Sequence, residues 1–597
     1  MPKIEINEKH FFDLACAGKG CAWDSQEKFE EALTCAKAEL DSQWHGGGSG
    51  GEDRFLKIEL NDTNRPDLWS TAGLARQLRV HGGGGIPEYP FFSRPGDVKK
   101  AARKIVVEDG VRQVRPFVAG FVVSGAPLCD SMLRDMIQTQ EKLAWNFGRK
   151  RRTVSMGLYR AAQIAWPVVY KGADPDAVSF VPLQGEDARE DSCGASPMTL
   201  RRILKEHPKG REYAFILENE RVHPLLTDAS GAVLSYPPII NSADTGAVRV
   251  GDSEIFVELT GTDIRMVTLA ASIAACDLAD NGFSVEPVEV EYGFDTVFGR
   301  NIVYPFYFQE PVFCSLARVE RFLGEALSAD ECVRALARMG VRAEKIVSRE
   351  RGAPADSPAV EGVLALPPEY RNDFLHAADI VEDVMIGCGL GSFAPVRSTE
   401  PTVGRLLPMT AFGRQVKEIF IGMGFQEMIY NYLGSRRDLA DNMNSAGERM
   451  IRIANPMTEN YEYVRDSVVA SLAASEAVSA HSVYPHRIFE VGKVAFLDPA
   501  ENSGTATRQY AGFLHADPAA NFNTAAAQLR TLFYYLSRDY DVEESGDPRF
   551  IPGRAAEVLC RGRRVGVFGE LHPQVLENWG IAVPCTAGEF DLDELIG

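Results

Sequence analysis

The chain lacks any Cys-x-x-Cys pair, although it carries 11 cysteines, an odd number scattered along its 597 residues. Its 10 histidines also avoid metal-ligand spacing; the nearest two, His481 and His486, stand five apart. Both absences argue against a zinc site or a disulfide frame and for free buried thiols in a reducing compartment. Long apolar runs are missing as well. The most apolar window, MVTLAASIAACDLA (266–279), is shorter than a bilayer span and is bounded by Arg265 and Asp280, so it reads as a buried helix. The opening MPKIEINEKHFF has no signal-peptide core, and a cytoplasmic protein with no membrane partner is expected. Positive charge is in deficit, 63 Lys and Arg against 83 Asp and Glu, for a net charge of −20. A chain that gripped a polyanion alone would normally be basic, so a nucleic-acid role implies a partner chain that supplies much of the surface. Basic clusters remain at Arg149–Lys150–Arg151–Arg152, at Arg201–Arg202 and from Lys205 to Arg211, each read first as a solvated face.

With 45% apolar and 24% charged residues, the composition is that of a globular protein, and the length predicts about three to five domains. Residues 1–90 form an opening module. In it, 27–40 has helical spacing, GGGSGGED (46–53) reads as a flexible loop and FLKIEL as a strand, before HGGGG (81–85) and two prolines close it. Residues 91–298 read as mixed α/β, with strands at KIVVE, PFVAGFVVS, AFILE and EPVEVEYG and a helix over 131–151. Residues 299–397 are mainly helical, Ser328 and Glu331 standing at capping-box spacing. Residues 398–597 open with a helix whose Phe412, Val416, Ile419 and Phe420 form an apolar stripe.

Two segments carry chemistry. Between His223 and Asp263, hydroxyl and carboxylate groups alternate with apolar runs. AVLSY and SEIFVELTG read as strands, the second with Phe256, Glu258 and Thr260 on one face and Ile255, Val257 and Leu259 on the other. Such a face lines a polar pocket or is wetted by solvent. In YRNDFLHAADIVEDV, Asp379, Glu382 and Asp383 stand at i, i+3 and i+4 on one helix face, with Asp373 just before it. Oxygen ligands at this density suit a hard ion such as Mg²⁺; acids at a helix start also favour the macrodipole with no metal.

The order LNDTNRPDLWSTAGLARQLR (60–79), LSYPPIINSADTG, FVELTGTD, LPPEYRNDFLHAADIVEDVMIGCG (366–389), IANPMTENYEYVRDSVVASL (453–472), HRIFEVGKV (486–494), PGRAAEVL (552–559) and FGELHP (568–573) resembles the beta subunits of phenylalanyl-tRNA synthetases of the shorter archaeal and eukaryotic type. The resemblance implies a multidomain α+β fold: a tRNA-editing module, a small winged-helix-like module, and a catalytically inactive domain like the antiparallel-sheet core of class II synthetases. It implies an alpha-subunit partner in a two-alpha, two-beta assembly that uses ATP to join phenylalanine to tRNA(Phe), with the synthetic site on alpha. It further implies an editing pocket at Leu226, Ser235, Glu258 and Thr260 that hydrolyses mischarged Tyr-tRNA(Phe), and Mg²⁺ on Asp373, Asp379, Glu382 and Asp383.

The chain departs from that pattern in places. Ala144 stands where relatives often carry His, and Arg160 where they carry Asp. Arg465 is followed by Asp466-Ser467-Val468, which departs from the usual downstream acidic pattern, and the end AVPCTAGEFDLDELIG lacks the glycine-rich segment with its adenine-stacking arginine. Two alternatives therefore stand beside editing: a structural and tRNA-binding subunit whose pocket has decayed, or a metal-dependent hydrolase at the acidic cluster.

Overall fold

The structure, a computed structural model, describes residues 2–16, 23, 25–42, 54–97, 101–183, 196–349, 358–479 and 481–596; the 46–53 loop lies outside them. The chain forms two compact units, Met1–Val396 and Arg397–Gly597.

The first unit is organised by a ten-stranded sheet. Its central strands, Arg103–Val107, Ser284–Tyr292 and Phe117–Ser124, are flanked on one side by Val168–Ala173, His223–Thr227, Val233–Tyr236 and Ile240–Asn241, and on the other by Glu254–Gly261 and Val154–Arg160; the tenth, Asn301–Tyr304, pairs with Ser284–Tyr292 off this path. Only Arg103–Val107 runs parallel to its two neighbours; the other pairs are antiparallel. The two ends of the sheet meet. Arg160 N–H donates to the Thr245 carbonyl at 3.1 Å, and Asn241 Nδ2 donates to Leu158 O at 3.4 Å. This approach buries both faces of Glu254–Gly261, so Glu258 is not on a wetted face.

Against the sheet packs the apolar helix Ile264–Asp280, begun by the Asp263 carboxylate accepting from Arg265 and Met266 N–H, and buried along almost its whole length as its composition predicts. No helix among the described residues is long and apolar enough to cross a membrane. A separate core draws on residues 4–78 and 314–386 together, including Phe11, Phe29, Leu74, Leu336 and Ile380. The capping box at Ser328 and Glu331 forms as its spacing predicts.

Three local expectations differ. The 27–40 helix stops at Leu33, continues as a 3₁₀ turn to Ala36 and gives way to the strand Ala38–Leu40, because Lys37 takes a left-handed conformation at φ 50°. AFILE is a 3₁₀ turn, Ala214–Ile216, instead of a strand. The 131–151 helix spans Asp130–Lys142 and ends in a wider turn, Leu143–Phe147. Eight described cysteines are free thiols, but Cys16 is disulfide-bonded.

The second unit is a seven-stranded sheet in the order Gln426–Glu427, His486–Leu497, Thr505–Ala516, Cys585–Asp591, Arg563–Leu571, Phe550–Cys560, Asp541–Glu544. Every pair is antiparallel except the first. The helix Pro408–Gly422 lays its stripe on this sheet: Val416 and Phe420 are buried, while Phe412 and Ile419 pack at the margin.

Candidate functional site

Leu226 and Ser235 sit directly opposite each other on neighbouring strands, and Glu258 and Thr260 lie two apart on a strand near the other end of the sheet. Ser235 and Glu258 meet at a residue that sequence reasoning missed. The Tyr159 hydroxyl lies 2.9 Å from Glu258 Oε2 and 2.8 Å from Ser235 Oγ. With a single proton, it donates to the carboxylate and accepts from the serine. Room for the ring comes from Gly157, opposite Glu258 in register; a Cβ there would stand 2.4 Å from the Tyr159 hydroxyl and 2.8 Å from Glu258 Oε2. The available signal was the period-two run Ser155, Gly157, Tyr159, which places small and polar groups on one strand face.

Thr260 belongs to an adjoining cluster. Arg115, 1% exposed, donates through Nε to Thr260 Oγ1 at 3.0 Å, and Ser155 Oγ lies 3.0 Å from the same hydroxyl. The remaining Arg115 donors go to Ser155 Oγ and to the carbonyls of Thr260, Arg151 and Arg152. Every acceptor is neutral, and burial brings the guanidinium down to about 10.

Leu226, Ser235, Glu258 and Thr260 are between 0 and 2% exposed. Burial pushes the Glu258 carboxyl up to about 7, against the lowering pull of the Tyr159 hydroxyl, of the Arg115 charge and, more weakly, of the nearby Thr260 hydroxyl. Its Oε1 is buried with no hydrogen-bond partner. A raised carboxyl binds its proton more tightly in the fold than in the unfolded chain. Its stabilisation is therefore present below pH 4.5 and lost as the pH rises through about 7. The shift corresponds to a loss on the order of 3 kcal/mol. Glu258→Gln removes it, so urea unfolding should show the variant gaining on the wild type between pH 5 and pH 8. An equal difference at both values would contradict the buried, raised carboxyl.

The departures are structural in character here. Ala144 is buried in the wide turn that ends its helix. Arg160 pairs with Asp252 at 3.3 Å, away from the Glu258 carboxylate.

The four acids expected to bind a metal are each engaged by protein groups. Arg371, 2% exposed, donates from Nη1 to Asp383 Oδ2 at 2.7 Å, and to Asp373 from Nε at 2.9 Å and Nη2 at 2.6 Å. Asp379 starts the helix Ala377–Cys388, its Oδ2 accepting from Leu375 and His376 N–H at 2.8 and 2.7 Å. Glu382 pairs with Lys37, which also holds Asp62 at 2.8 Å. One guanidinium serves two carboxylates unequally. Despite burial, Arg371 helped by Arg65 brings Asp373 down to about 2, whereas Asp383 is raised because deeper burial and the charge of Asp373 outweigh the pairing. No Lys or Arg stands between Asp373 and Asp383 in the sequence, but Arg371, two positions before Asp373, and the remote Lys37 reach these acids in space. Among the described residues, no group of three or more His, Cys, Asp or Glu could hold a metal ion.

In the second unit Arg465 is fully buried. It forks onto Glu490 at 2.7 and 2.8 Å and donates to Ser471 Oγ and the Lys493 carbonyl. In the nearby cleft Arg549 is held by Asp547 and Glu589, and Arg564 by Glu557.

Comparison with known proteins places these features. Residues 394–592 match the model of the phenylalanyl tRNA synthetase beta chain CLM domain, and residues 312–390 that of the tRNA synthetase B5 domain. The phenylalanine–tRNA ligase beta subunit of Treponema pallidum is 45% identical over 631 residues, covering 100% of both chains. That of Borrelia garinii is 43% identical, again over 100% of both. An N-terminal fragment of the phenylalanyl-tRNA synthetase beta subunit from Pyrococcus horikoshii matches in structure with a TM-score of 0.54 at 33% identity, covering 65% of this chain and 100% of the fragment. Both of these relatives, matched over their whole length, are bacterial, so this length does not by itself mark an archaeal or eukaryotic type.

Proposed function

Because the chain belongs to the phenylalanine–tRNA ligase beta-subunit family, we propose that it completes a two-alpha, two-beta ligase for tRNA(Phe) and that its Glu258 group hydrolyses tyrosine wrongly joined to that tRNA. Tyrosine differs from phenylalanine by one hydroxyl. An apolar synthetic pocket rejects such an addition only about a hundredfold, so a second check is needed. The observation that carries the reading is Glu258 Oε1, a buried acceptor without a donor. A phenol reaching it satisfies the group, whereas phenylalanine leaves it unpaired and forfeits about 1–3 kcal/mol. Tyr159, itself bonded to Ser235, fixes the other carboxylate oxygen, so the free one is held in place. With no nucleophile–base pair at the group, the ester is attacked by a positioned water helped by the terminal ribose hydroxyl of the tRNA.

Entry requires opening, since the group is closed. Asn241, where the ends of the sheet meet, makes long side-chain hydrogen bonds to Tyr159, Leu158 and Gly246, of 3.4 to 3.5 Å. The same closure favours the alternative of a structural, tRNA-binding subunit without editing. Preformed Tyr-tRNA(Phe) given to the complete enzyme decides between them: release of tyrosine faster than of phenylalanine supports editing, and equal, background release supports the alternative.

ATP-dependent joining belongs to the alpha partner in this reading, supported by the internal engagement of Arg465, Arg549 and Arg564. Magnesium on Asp373, Asp379, Glu382 and Asp383 does not fit the acids as this chain arranges them, because two hold Arg371, one caps a helix and one holds Lys37. A metal-dependent hydrolase at this place meets the same objection. Millimolar MgCl₂ at matched ionic strength should therefore shift the melting of the wild type and of Asp379→Asn/Asp383→Asn equally. A shift in the wild type alone, following RT ln(1 + [L]/Kd), would restore the ion.

A further inference from the structure

The side chains of the basic run Arg149–Arg152 take no part in the Glu258 group, yet the run is built in an unusual way. Arg149, Lys150 and Arg151 take φ of 50°, 56° and 64°, three successive left-handed residues without a glycine among them. Residues other than glycine rarely adopt this region, and backbone strain of this kind clusters at functional sites. The backbone of the turn closes the preceding helix: N–H groups of Gly148, Arg149, Lys150 and Arg151 donate to the carbonyls of Leu143, Asn146, Trp145 and Ala144. The helix end is thus satisfied by main chain, which leaves the basic side chains available.

Those side chains interleave with aromatic rings contributed partly by a distant segment. Lys150 Nζ stands 5.3 Å from the Trp145 ring centroid, Arg151 4.3 Å from that of Tyr213 and Arg152 4.8 Å from that of Phe215. Trp145 and Phe215 are 44% and 38% exposed, while Tyr213 is buried beneath them. Among the described residues Arg149, Lys150 and Arg152 make no ion pair, in a chain whose net charge is −20. The patch is also wired to the candidate site. Arg151 Nη1 donates to the carbonyls of Pro238 and Ile239, just past Ser235, and Arg115 joins the Arg151 and Arg152 carbonyls to Thr260.

We propose that Trp145, Lys150, Arg152 and Phe215 form a stacking platform for the single-stranded 3′ end of an RNA, which it presents to the Glu258 group. Exposed rings alternating with unpaired cations match what a single strand offers, base faces alternating with phosphates. A double-stranded stem offers phosphates but no open base face. The proposal deepens the editing reading and rests on it for the destination of the strand, not for binding.

The test uses the full chain and two RNA hairpins of the same stem, one with a short single-stranded 3′ end and one blunt. Trp145→Ala/Phe215→Ala should weaken binding of the overhanging hairpin about tenfold or more and leave the blunt one unchanged. Lys150→Ala/Arg152→Ala should flatten the dependence of log K on log salt by about 1.4, two single-strand phosphates. Both variants change exposed side chains, and unchanged melting would show that the fold is intact. Unchanged affinity for the overhang, equal loss on both hairpins, or loss of assembly with the partner subunit in place of RNA binding would overturn the platform. Glu258→Ala should leave hairpin binding intact, so loss of tyrosine release with retained binding separates the two claims.

Discussion

Arg371→Met should destabilise the first unit by about 3–5 kcal/mol, the cost typical of removing one partner from a buried ion pair. Arg371 is 2% exposed and forks onto Asp373 and Asp383, whose side chains are 8% and 5% exposed. Methionine fills much of the volume but leaves two buried carboxylates close together with their shared cation gone. Arg65, paired with Asp67 and close enough to act on Asp373, is too engaged to replace it. Denaturant unfolding of the full chain measures the loss. Asp373→Asn/Asp383→Asn in the same background should recover part of it by removing the stranded charge. A loss under about 1 kcal/mol would mean that the triad is only a solvated surface arrangement.

Phe420→Ala should cost the second unit a similar amount, about 3–5 kcal/mol, through a cavity instead of a charge. The ring is fully buried, stacked on Phe489 with centroids 4.9 Å apart and flanked by Phe425 and Phe513 at 5.5 and 6.0 Å. These rings come from the helix Pro408–Gly422, from the turn after it and from two sheet strands. The gap therefore opens where the helix joins the sheet, and neighbouring backbone held by ladder hydrogen bonds cannot collapse into it. Phe420→Leu, which keeps most of the volume, should cost clearly less. Equal losses for the two substitutions would show that the site repacks freely.

Much of the fold was legible where a single period dominates. The largely apolar 266–279 run, the stripe of Pro408–Gly422 and the Ser328 capping box are local patterns, and each forms as its spacing predicts. Misreadings occurred where one residue overrides the pattern. Lys37 in a left-handed conformation turns a helical period into a helix, a 3₁₀ turn and a strand. The site was legible in its residues but not in its wiring. Glu258 and Ser235 could be chosen by chemistry, but the Tyr159 hydroxyl between them depends on the two ends of the sheet meeting, a long-range event with no local signature. The density of the acidic cluster suggested a missing cation; in the structure Arg371, two positions before Asp373, and Lys37, from a remote segment, pair with these acids, and of the two contacts that of Lys37 has no local signature.

The editing claim rests on the unpartnered oxygen of Glu258, and one ratio tests it: the rates at which the complete enzyme releases tyrosine and phenylalanine from preformed esters of tRNA(Phe), in the wild type and in Glu258→Ala. The wild type should favour tyrosine by about tenfold to a hundredfold, the factor expected when one buried acceptor is filled or left empty. In the variant the ratio should fall towards one while charging of tRNA with phenylalanine continues. A ratio unchanged by the substitution, or a wild type that releases both amino acids equally slowly, would contradict the account.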